Sequence, residues 1–178
     1  MTDRPFSKVC FPLFPLSTYH PLASPTNTPS PNQILIVGAG PSGLLLALLL
    51  SKHGIPVHIL EAAPHLDQQP RAAHYGAPAI PEFVRAGIAD EIRARGMLID
   101  TLCWRSSVDH SYIAGFDAGK VLRDVDVDGD GKGKGMDLRT HCLPLQELDQ
   151  LMLEEVTGRY GGVVEWEHRV VGVGQDGE

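Results

Sequence analysis

The sequence predicts an α/β fold that opens on a βαβ unit and continues into the first strands of a second, β-rich layer. Three observations carry that prediction. Ile34-Leu35-Ile36-Val37 is a short, β-branched apolar run ending at a glycine cluster, which is how a strand buried on both faces reads. Pro41 to His53 is leucine-rich, begins with proline at the first helical position and is closed by Gly54, the expected punctuation of a helix. Val57 to Leu60 is a second apolar strand and ends at Glu61. Strand, helix and strand within about 30 residues can pair in parallel only through a right-handed crossover.

The remaining elements follow in order. Residues 1–31 hold seven of the chain's 14 prolines, a density that prevents a helix or a central strand, so a Pro-rich disordered leader is expected there and a folded domain over 32–178. After Glu61, residues 62–80 read as a loop rich in Pro, Ala and Gln. Ile80 to Arg95 resumes a helical pattern, with Phe83, Val84, Ile88 and Ile92 on one stripe and Gly96 as the stop. Between Leu98 and Val125 apolar patches alternate with polar turns, which places the first strands of the second layer around residues 98–140. Asp128 to Gly135 is expected to be an exposed loop. Leu145 to Tyr160 reads as an amphipathic helix through Leu148, Leu151, Met152 and Val156, and Val163 to Val173 as strand. Gln175-Asp176-Gly177-Glu178 looks like a turn leading into a further strand, so the architecture is expected to be incomplete at residue 178.

Composition bounds the function. Apolar residues make up 43% and charged residues 21%, enough to build a core and far from the signature of disorder. A net charge of −7 with no basic run argues against nucleic acid as partner. Cys10, Cys103 and Cys142 are widely spaced and fit neither a zinc nor a redox motif, as expected of a reduced, cytoplasmic protein. The longest apolar run, Leu44 to Leu50, falls well short of the roughly 18 residues a membrane-spanning helix needs.

The chemistry is concentrated in Gly38-Ala39-Gly40-Pro41-Ser42-Gly43, a G-x-G-x-x-G run between the first strand and the helix. In that context each glycine has a task. Gly38 permits the turn, Gly40 lets the backbone approach a pyrophosphate, and Gly43 allows close helix–strand packing. The phosphates would lie on the helix N-terminus, where free N–H groups favour an anion. Glu61 ends the second strand, where a carboxylate accepts hydrogen bonds from ribose hydroxyls and repels a 2′-phosphate. This makes the unit Rossmann-like and disfavours NADP as its ligand. Nucleotide hydrolysis is rejected, because Leu44 and Leu45 stand where a phosphate-binding loop needs Lys and Ser or Thr. Asp124-x-Asp126-x-Asp128-Gly129 starts like a calcium loop, but Gly135 replaces the bidentate glutamate. The histidines lack metal-ligand spacing, so no metal is expected, and no Ser-His-Asp set points to a catalytic residue. Trp104 and Trp166 are expected in the core.

Ile34 to Glu61 resembles the opening of FAD-dependent monooxygenases of the aromatic-hydroxylase type. Pro70-Arg71-Ala72 with the following helix resembles the family's "PRA" segment, and Leu143-Pro144 with its helix the "LPQ" segment. The family places glutamine directly after Leu-Pro. Here Leu145 stands in that place and Gln146 comes one later. The resemblance implies that Gly38, Gly40, Pro41, Ser42 and Gly43 hold the pyrophosphate of FAD, Glu61 and Ala62 the adenosine ribose, and Arg71 and Gln146 the flavin side. It also implies NAD(P)H as co-substrate and a small aromatic substrate. The family is well over twice as long, so the chain alone is expected to bind FAD weakly or not at all and to be incompetent in catalysis. Two other readings stand beside this one: a non-catalytic fragment or interaction module that self-associates through exposed apolar surface, and a small NAD-binding Rossmann protein.

Overall fold

The computed structural model describes residues 33–71, 73–125 and 135–174. The expected leader, Ala72, most of the loop from Asp128 to Gly135 and the C-terminal turn lie outside them. In chain order the elements are β1 (Ile34–Val37), α1 (Pro41–Lys52), β2 (Val57–Leu60), β3 (His74–Tyr75), α2 (Ile80–Ala86), α3 (Ala89–Arg95), β4 (Met97–Ile99), β5 (Thr101–Arg105), β6 (Tyr112–Asp117), α4 (Ala118–Val121), β7 (Thr140–Cys142), α5 (Leu145–Glu154) and β8 (Val163–Glu165).

β1 and β2 pair in parallel, Ile34 opposite Val57 and Val37 opposite Leu60, and β8 continues the parallel sheet on the far side of β2. The order β1-β2-β8 is one half of a doubly wound sheet. The expected βαβ unit is therefore present. α1 crosses between the strands and buries Leu44, Ala47, Leu48 and Ser51, the i, i+3, i+4, i+7 stripe of an amphipathic helix. Gly54 closes it in the left-handed region at φ 74°, its N–H donating to the Ser51 carbonyl at 2.9 Å. α1 packs on β2, α2 and α5, and the core formed there includes Leu44, Leu48, Ile59, Ile80 and Leu143, all fully buried.

Several expectations are corrected. β1 is not buried on both faces: Ile34, Leu35 and Val37 are exposed, because β1 is the edge of its sheet among the described residues. The helix expected over Ile80 to Arg95 is two helices. Gly87 sits between them at φ 82°, and the N–H groups of Gly87 and Ile88 both donate to the Phe83 carbonyl, a glycine stop that ends α2. α5 ends at Glu154, and Glu155–Arg159 widens into a single π-helical turn. Only Val163–Glu165 of the last expected strand pairs.

The second layer is antiparallel and in two pieces. β3, β7 and β4 form one small sheet in that order. β5 and β6 form a separate hairpin, Leu102 opposite Phe116. Every residue of β5 and the first five of β6 are exposed. Trp104, expected in the core, is 57% exposed on that hairpin. No described helix is long and apolar enough to cross a membrane.

A cleft at the carboxyl ends of the parallel strands

The site grows from the β1–α1 turn. Gly38 adopts φ 101°, which side-chain-bearing residues rarely reach, and its N–H donates to the Leu60 carbonyl at 2.8 Å. A Cβ on Gly43 would overlap the Gly38 carbonyl group, so α1 sits this close to β1 only because position 43 has no side chain. Gly40 differs from both. A Cβ there would meet nothing within 4 Å. Gly40 is also the N-cap of α1, with no side-chain cap and no acidic residue in the first turn. The helix N-terminus is thus left open towards a cleft lined by Gly40 and Pro41, a place built for an anion.

Glu61 lies across that turn at the end of β2. Its backbone is fixed by the sheet: the Glu61 N–H donates to the Glu165 carbonyl at 2.9 Å, and the His168 N–H donates to the Glu61 carbonyl at 2.8 Å. Its carboxylate accepts the Ala39 N–H at 2.7 Å on one oxygen and the Ala63 N–H at 2.8 Å on the other. These N–H groups, Ala39 first, hold the carboxyl below its ordinary range against a smaller opposing effect of burial. The carboxylate therefore stays ionised, with lone pairs left to accept further hydrogen bonds.

The loop after β2 forms the next wall. Arg71 lines the same cleft, but its guanidinium is 58% exposed and pairs with Asp67 at 2.5 Å. The last wall is the first turn and a half of α5, where Leu145 and Asp149, four residues apart, share one face. Gln146 is rotated about 100° from Leu145 around the helix. It lies outside the cleft lining, and its Oε1 is buried with no hydrogen-bond partner. The residue in line with the cleft, where the family pattern has glutamine, is Leu145.

The structure thus brings Gly40, Pro41, Glu61 and Arg71 around one cleft. Gly38 and Gly43 shape it from behind, and Ser42 and Ala62 are exposed beside it. Asp149 and Trp166 also line the cleft and were not anticipated there. Asp149 had a signal: a carboxylate between Leu145 and Met152 on an otherwise apolar stripe breaks the helix pattern. Trp166 had none beyond its size.

Comparison with known proteins bears on this geometry. The family model described as "FAD binding domain" matches residues 32–178. The chain is 29% identical to para-nitrophenol 4-monooxygenase of a Pseudomonas species over 80% of its own length and 33% of that protein's. It is 41% identical to 6-hydroxy-3-succinoylpyridine 3-monooxygenase of Pseudomonas putida over 41% of its length and 19% of the relative's. The crystal structure of p-nitrophenol 4-monooxygenase from Pseudomonas putida superposes with a TM-score of 0.69 at 26% identity, covering 82% of this chain and 35% of that one. The chain therefore spans no more than about a third of the relatives it matches. A family match over this span, on a half-sheet whose strand ends, open helix N-terminus and Glu61 carboxylate face one cleft, gives the assignment: the chain belongs to the FAD binding domain family, with FAD as its cofactor.

Proposed function

We propose that this chain carries the FAD-binding portion of a flavin-dependent monooxygenase, in which NAD(P)H and O2 serve the hydroxylation of a small aromatic molecule. The observation that carries the reading is Gly40: an uncapped helix N-terminus whose missing side chain leaves open space on the cleft. FAD when bound supplies the redox chemistry. The chain's own residues bind and orient. Gly40 and the first turn of α1 take the pyrophosphate, Glu61 accepts the adenosine ribose hydroxyls, and Arg71 turns from Asp67 towards the phosphates or the polyol beyond them. Ser42 and Ala62 contribute backbone at the rim, Gly38 and Gly43 set the turn, and Leu145 presents an apolar surface where water is to be excluded. Gln146 would contact the cofactor only if α5 rotated.

Gly40→Val tests the reading. Because the added side chain meets no protein atom at its Cβ, the thermal midpoint should stay within about 2 °C. FAD affinity should fall by at least about tenfold. Unchanged affinity for FAD would overturn the proposal.

A second reading rests on the β5–β6 hairpin. Trp104, Tyr112 and Ile113 leave both of its faces apolar and open, which supports self-association or a role as an interaction module. Ile113→Ser should then shift the chain towards monomer in sedimentation, and an unshifted distribution would remove this reading. Cys103 and Cys142, which form no disulfide among the described residues, support a reducing, cytoplasmic compartment.

A further inference from the structure

Among the described residues, four buried side-chain polar atoms lack a hydrogen-bond partner: His58 Nε2, the Tyr75 hydroxyl, Gln146 Oε1 and Asp149 Oδ1. His58 Nε2 has Glu165 Oε1 at 3.1 Å, so its need is nearly met within the sheet. Asp149 is different. Its residue is 4% exposed, one carboxyl oxygen has no partner, and it lines the cleft. Burying a carboxylate with an unused lone pair opposes folding unless something else satisfies it. Nothing in the local packing requires an acid at that position, since Leu148, Leu151 and Met152 beside it form an ordinary apolar face.

The charges that reach the Asp149 carboxyl come from Arg71, which favours its ionised form, and Asp67, which opposes it. The Tyr75 hydroxyl in turn feels Asp149. Asp149 thus shares its surroundings with Arg71, whereas the Glu61 carboxylate on the same cleft is tied to Ala39 and Ala63. A dinucleotide carries hydroxylated chains on both sides of its pyrophosphate. Glu61 on the proposed reading serves the first of them, and a second carboxylate on the same cleft, with an oxygen left unpartnered, matches the second. Resting on the FAD reading of the cleft, we propose that Asp149 is a cofactor-binding residue whose free oxygen accepts a hydroxyl hydrogen bond from the polyol chain on the flavin side of FAD. An O–H to carboxylate bond is short and charge-assisted, and in a buried wall it discriminates strongly against a ligand that lacks the hydroxyl.

ADP contains the adenosine ribose and pyrophosphate but not the polyol, so it separates the two ends. Calorimetric titration of the wild-type chain and of Asp149→Leu with FAD and with ADP tests the assignment. Asp149→Leu should weaken FAD by at least about tenfold while leaving ADP within about twofold, and Asp149→Asn, which keeps the size and one acceptor, should fall between. The Asp149→Leu chain should melt no lower than wild type, because it loses a buried unpaired acid. FAD affinity that is unchanged in both variants, or ADP and FAD weakened alike, overturns the role of Asp149 and leaves the cleft's reading standing. A wild-type chain that takes neither FAD nor ADP overturns both.

Discussion

The β1–α1–β2 unit and the β5–β6 hairpin are built from similar residues and have opposite fates. Leu44, Leu48 and Ile59 in the first are fully buried, while Ile113 and Tyr112 in the second are 64% and 62% exposed. Composition therefore does not decide burial here. The first unit is covered: its glycine turn, crossover helix and two paired strands lie within 27 residues of one another, and α1 packs on β2 and on α2 and α5 from further along the chain. The hairpin satisfies only its own ladder and presents both faces outward. What separates them is whether another described element covers the apolar face.

The widest gap should appear in stability. Leu48→Ala leaves a cavity in packed surroundings and is expected to cost about 2–5 kcal/mol in denaturant unfolding. A cost under 1 kcal/mol would mean that the α1–β2 core is looser than its burial indicates. The Asp149 carboxyl sits in the wall of this tight region, and its effect depends on pH. Burial, partly offset by Arg71 and reinforced by Asp67, pushes it from 3.8 up to about 6. Between those values the folded chain keeps a proton that the unfolded chain has released, so stability falls as pH rises through the window and the loss is complete above it. Asp149→Leu lacks that loss. Its stability advantage over wild type should open between pH 4 and 6 and level off above, reaching about 3 kcal/mol at most. Arg71, Asp67 and Tyr75 face the carboxyl in the wild type and remain in the variant, so curves that run parallel across that range would show that Asp149 is ionised throughout. The smallest effect belongs to the hairpin. Ile113→Ser, on an open face, should change unfolding free energy by no more than about 0.5 kcal/mol. A larger cost would reveal that the hairpin is covered in solution.

The same contrast explains what could be read from the sequence. Gly38 and Gly43 announced the turn because each is required by a local backbone event, Gly40 stood between them in the spacing, and Glu61 followed from the end of a strand whose length was evident. The break at Gly87 was legible in principle, since a glycine inside a helical stripe is a stop signal, but the apolar stripe continued across it. The exposure of β1 was not legible: its four apolar residues encode a strand, whereas the covering of its outer edge depends on distant chain. Trp104 illustrates the same limit, because a strand pattern fixes which residues alternate and leaves open whether either face meets a neighbour. Within the cleft, the displaced glutamine was readable as a shift of one residue. Its consequence, a rotation that brings Leu145 and Asp149 to the wall, needed the helix axis.

On the proposed reading the glycine turn and Glu61 hold the adenylate half of FAD in this cleft. Titrating the chain with FAD and with FMN, which shares the flavin and polyol but lacks the adenylate, tests it most directly by the quenching of flavin fluorescence. Saturable binding of FAD, at least about tenfold tighter than FMN, is the expected result. Equal affinity for the two flavins, or no binding of FAD, would contradict it.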